Sequence, residues 1–153
     1  MKGITLTESG HFVHVYPSAD PAGTVTGDWF SLENYAHATI VVAKGSGSGA
    51  TVTLENATGA GGTSNATMPF NYALESTAAG DTLGSLTAAG TGGIGISANS
   101  GVLVVIEVDA SELPDGSPWL TPKMTSVGAS QVCIIACLTG SRWGKSESMT
   151  AIV

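Results

Sequence analysis

Short apolar clusters rich in Val, Ile and Thr recur along the chain, separated by runs of Gly, Ser, Thr and Ala. Clusters of this length bounded by turn formers read as β-strands, because β-branched side chains suit a pleated surface and Gly-rich runs interrupt it. The pattern predicts strands near residues 11–16, 29–32, 39–43, 51–55 and 68–74. Further strands follow near 93–97, 102–109, 120–125, 131–138 and 150–153. Helical periodicity is confined to single turns at 32–35 and 111–113, the second stopped by Pro114 and by a turn at Asp115 and Gly116.

Two of these strands are apolar on both faces. Val102, Val104, Ile106 and Val108 line one side of the first and Leu103 and Val105 the other, and 132–138 is similar. Such strands belong in the middle of a sheet that is covered on both sides. Elsewhere Val52 and Leu54 alternate with Thr51, Thr53 and Glu55, which reads as one buried and one wet face. Strands at spacings near ten residues, without blade repeats, predict an all-β fold. The expected architecture is a two-layer β-sandwich, jelly-roll-like, with long Gly/Ala/Thr-rich loops and residues 1–153 in a single domain. Residues 45–50 read as a hairpin loop. The longer stretch 76–95 is either a functional arm or the site of an unrecognised strand.

Composition turns this fold toward assembly. Charged residues make up 11% of the chain, against roughly 25% in an average globular protein. With a mean hydropathy of +0.26, part of the surface is expected to be covered by partners. The net charge of -7 and the lack of any basic cluster argue against nucleic-acid binding. Residues 1–12 lack the apolar core of a signal peptide, and the apolar run 132–138 is far short of the roughly 20 residues of a membrane helix. No membrane partner is expected. Cys133 and Cys137 lie four apart on one strand, hence about 13 Å apart and beyond disulfide reach. They are expected to be free, buried thiols.

Several motifs imitate catalytic or cofactor sites and fail on context. Residues 90–95 spell GxGxxG, yet a strand follows instead of the helix whose N-terminus would hold a pyrophosphate. Residues 140–146, GSRWGKS, have three residues between the glycines where a phosphate loop needs four. His11 and His14 would point to opposite faces of a strand, which defeats a shared metal site. Glu107 and Asp109 share a strand face, an arrangement that suits acid and base work but reads more simply as a solvated strand end. No Gly-x-Ser-x-Gly elbow stands on a strand, and no Asp-rich calcium loop occurs. The chain therefore reads as a non-enzyme that needs no cofactor or metal. Its aromatic and basic outliers, Trp29, Trp119, Arg142, Trp143 and Lys145, are the candidate interface residues. The three Trp residues alternatively suit a sugar-stacking face.

At 28–40 (DWFSLENYAHATI), 79–84 (AGDTLG), 105–113 (VIEVDASEL) and 138–142 (LTGSR), the sequence resembles small structural proteins of tailed bacteriophages encoded near the major capsid protein. The resemblance implies a virion protein on the capsid exterior, made in the bacterial cytoplasm, that decorates and cements the head lattice. Its implied partners are the major capsid protein and further copies of itself, as a homotrimer at local three-fold positions. A tail or head–tail adaptor role is the alternative, and a carbohydrate-binding β-sandwich module is a second.

Overall fold

The computed structural model describes residues 5–21, 23–75, 77, 80–98, 101–128, 130–142 and 151–152. Two antiparallel sheets pack face to face. Sheet A runs in the order β1 (Gly10–Ala19), β12 (Val132–Ser141), β4 (Tyr35–Lys44), β10 (Val102–Asp109), β7 (Phe70–Glu75) and β8 (Thr87–Ala89). Sheet B runs β2 (Gly23–Thr26), β11 (Trp119–Val127), β5 (Ala50–Ala57) and β6 (Ala66–Met68), with β3 (Phe30–Ser31) pairing β11 and β9 (Ile94–Ile96) pairing β5. The sandwich is as the sequence predicts; the jelly-roll detail is not established by this strand order. The only described helical turns are Leu6–Ser9 and the 3₁₀ turn Ala110–Glu112.

Strand parity explains the core. Ile40 and Val42 on β4, Val104 and Ile106 on β10, and Ile134 and Leu138 on β12 all point inward and are fully buried. Val52 and Leu54 of β5 and Leu120 and Met124 of β11 meet them from sheet B. At about 25 cal/mol per Å² of apolar surface, this continuous layer is the main driving force for the fold.

The chain crosses between sheets where the sequence forbids a ladder. The predicted strand 68–74 is divided at Pro69, whose missing N–H ends β6 in sheet B before β7 enters sheet A. Pro122 lies inside β11, but its carbonyl accepts the Gly27 N–H (3.1 Å) at the gap between β2 and β3, where no strand needs a donor. The stretch 76–95 contains the unrecognised strand β8. Residues 32–35 form a turn closed by the Tyr35 N–H on the Leu32 carbonyl (3.1 Å). Instead of the strand expected at 150–153, Ala151 is buried beside β3 and its carbonyl accepts the Ser31 N–H (2.8 Å); Thr150 and Val153 lie outside the described residues.

Candidate functional site

The outer faces of the two sheets differ in chemistry. On sheet B, Thr51 and Thr53 of β5 stand beside Thr125 and Lys123 of β11. Glu55 is buried at 6% exposure there because Lys123 Nζ (3.2 Å) and Asn65 Nδ2 (2.8 Å) both reach its carboxylate. This face is polar and satisfied internally.

The outer face of sheet A is apolar at its centre. Antiparallel register aligns His14, Ile135, Val41, Val105 and Ala73 in one row across five strands, with Cys133, Ala43 and Leu103 in the next. Ile135 is 39% exposed and Phe12 47%, while Val41, Leu103 and Val105 are half-buried by neighbours within the sheet alone. Strands β10 and β12 do occupy the middle of the sheet, as predicted, but within the described residues only one of their two faces is covered. The thiols correct the sequence reading in the same way. Cys133 and Cys137 are free as expected, yet they share the parity of Ile135 and so stand half-buried on this outer face, outside the core.

At one end of the patch lies a hollow of about 330 Å³ bordered by Ala43, Leu103 and Cys133. Lys44 beside it is 2% exposed and donates its ammonium to the Gly45 carbonyl (3.0 Å); burial pulls its pKa down. At the other end, His37 is clamped between two carboxylates. Its Nε2 is 2.7 Å from Glu107 and its Nδ1 3.1 Å from Asp109, and Thr39 Oγ1 donates to Glu107 at 2.7 Å. Partial burial opposes protonation of His37, but hydrogen bonds and attraction from Glu107 and Asp109 outweigh it and raise its pKa. Burial and the nearby Glu107 push the Cys137 thiol up as well, so it stays protonated and a poor nucleophile. Among the described residues no group of three His, Cys, Asp or Glu side chains is placed to hold a metal.

The residues singled out by sequence fall in separate places. Trp119 and Arg142 both line a cleft of about 490 Å³ at the end of the sandwich, with Glu33, Thr58, Leu113 and Asp115. The Arg142 N–H anchors that corner by donating to the Asn34 carbonyl (2.9 Å). Trp29 is elsewhere: its ring lies against Gly62, where an added Cβ would come within 2.8 Å, so it braces the loop between β5 and β6. Trp143 and Lys145 lie outside the described residues. The GxGxxG stretch is a turn between β8 and β9, closed by the Gly93 N–H on the Gly90 carbonyl (2.9 Å). His11 stacks on Tyr35 at 5.9 Å while His14 faces outward, so the two do diverge. Glu107 and Asp109 do share a face, but His37 pairs with them, a contact across 70 residues that a single sequence does not reveal.

Comparison with family models, curated proteins and solved structures finds no match for this chain.

Proposed function

We propose that this protein is a structural component of a tailed-phage virion, a decoration or cement protein that binds the exterior of the head lattice and stabilises it. The observation that carries the reading is the outer face of sheet A. Its central strands have an apolar second face, the sequence pattern of a sheet covered on both sides, and an exposed apolar patch of this kind marks an interaction surface. A protein that binds only the assembled lattice shifts the equilibrium toward it by mass action, which is the physics of cementing. The low charged fraction of 11% and the segments that resemble phage structural proteins support the same reading. Quantitative mass spectrometry of purified virions tests it: hundreds of copies per particle are expected. About a dozen or fewer would replace the head by a neck or tail position.

A second reading has its own observation. The end cleft is lined by Trp119 together with Arg142, Glu33 and Asp115, a residue set that suits a sugar ring stacked on an aromatic face and held by polar groups. Glycan-array binding that disappears in Trp119→Ala would favour this reading over the first.

A further inference from the structure

We infer that the outer face of sheet A is the surface that seats on the shell, and that its counterpart there is an apolar surface rimmed by Lys or Arg, contributed by a different protein and not by a second copy of this chain. The inference rests on the head-decoration reading and names the contact surface and partner chemistry within it.

Charge decides between the two occupants. The rim of the apolar patch carries Glu107 and Asp109 at one end and Glu75 at the other, placed there by pairing of β10 with β4 and β7. No Lys or Arg stands on this face among the described residues. His37, when protonated, offsets part of the negative charge at its end, and His14 lies on the patch itself. None of the chain's described cations is presented on the rim. Lys44 borders the hollow but is 2% exposed, with its ammonium on the Gly45 carbonyl, Lys123 pairs with Glu55 on the opposite sheet, and Arg142 lines the end cleft. A second copy laid on the patch therefore brings, among its described residues, carboxylates and no basic rim. Like charges brought together at an interface cost stability, whereas a basic rim gains it and speeds encounter.

Area points the same way. Five strands about 4.8 Å apart, with two apolar rows about 6.8 Å apart, give roughly 330 Å² of open apolar sheet, below the roughly 800 Å² per partner of a standard interface. One such contact is too small for a lone dimer, but it suffices when repeated over a lattice in which neighbouring copies reinforce one another. The hollow beside Ala43, Leu103 and Cys133 supplies the anchor point such an interface needs, a pocket of about 330 Å³ for one protruding aliphatic or aromatic side chain.

The test uses heads purified from a phage carrying a deletion of this gene, with the full chain added back and bound copies counted. Ile135→Asp and Val105→Asp are expected to weaken binding roughly tenfold or more, as for an interface centre. Ala43→Trp, which fills the hollow, is expected to do the same. Glu107→Lys should weaken binding, and added salt should weaken that of the wild type. Thr51→Asp on the opposite sheet should bind as wild type. Ile135 is already 39% exposed, so its substitution leaves the core intact, and a thermal melt confirms folding of each variant. If the wild type binds and both acidic variants bind equally well, the assignment of this face is overturned while the decoration role stands. If the wild type does not bind heads at all, the decoration role itself falls. A dimer of the isolated protein that Ile135→Asp dissociates would overturn the choice of partner.

Discussion

Replacing Lys123 by Met removes the ammonium from a carboxylate that has little access to bulk water to compensate. Glu55 is 6% exposed and has two partners, Lys123 Nζ at 3.2 Å and Asn65 Nδ2 at 2.8 Å, so the variant leaves a buried charge held by one neutral donor. Breaking a fully buried pair costs about 3–5 kcal/mol, while exposed pairs contribute about 0–1 kcal/mol. The Lys123 side chain is 33% exposed, and water reaching that end screens the interaction, so the expected loss is about 1–2 kcal/mol. For a chain of this size each kcal/mol lowers Tm by about 2–4 °C. The assay is urea unfolding of the wild type, Lys123→Met, Glu55→Gln and the double variant. Glu55→Gln keeps the shape, and the double variant should recover much of the loss because no unpaired charge remains. A Lys123→Met variant as stable as wild type, with no coupling in the cycle, would refute the reasoning and make the pair an ordinary surface contact.

Three further outcomes follow from geometry. Folding raises the pKa of His37, so its stabilising contribution is complete below the ordinary histidine value of about 6.5 and is lost as pH rises through the higher folded value. The stability gap between wild type and His37→Asn should therefore be wider near about pH 6 than near about pH 8, and a gap that widens with pH would contradict the clamp by Glu107 and Asp109. Gly93→Ala should destabilise by about 2 kcal/mol or more, because its φ of +74° disfavours any side chain and an added Cβ overlaps the Val52 carbonyl oxygen. Gly90→Ala, with nothing within 4 Å of the added carbon, is the neutral control. Cys133 and Cys137 should both label with a thiol reagent in the native protein, Cys137 more slowly at neutral pH; an intramolecular disulfide found by mass spectrometry would contradict the strand register.

What was legible in the sequence is what hydrophobic parity carries. The strand predicted at 102–109 begins and ends where β10 does, because its alternate residues are all apolar and its last residue begins a polar turn. β2 and β8 went unrecognised because each is a short edge strand with one buried side chain, Val25 and Ala89, so neither presents a pattern. Parity also fails at strand ends. Lys44 occupies an inward position and is buried, contrary to the habit of its residue type. The His37 clamp depends on which strands are neighbours, and pairing across 70 residues is not encoded locally; Trp119 and Arg142 line one cleft because the ends of the two sheets lie together, which sequence does not show either. The doubly apolar strands were read correctly as central, but the layer expected over their second face is not supplied by the described chain.

The position of β12 between β1 and β4 has a consequence for biogenesis. Of the twelve described strands it is synthesised last, yet it bridges β1 and β4, so until it emerges β1 has no partner in sheet A and the facing edge of β4 is unpaired. Such edges template aggregation, and closing contacts between residue 10 and residue 139 makes folding slow, because the loop being closed spans most of the chain. Any chain interrupted before β12 is an aggregation hazard, and a synthetic peptide covering 132–141 should rescue a fragment that ends before it.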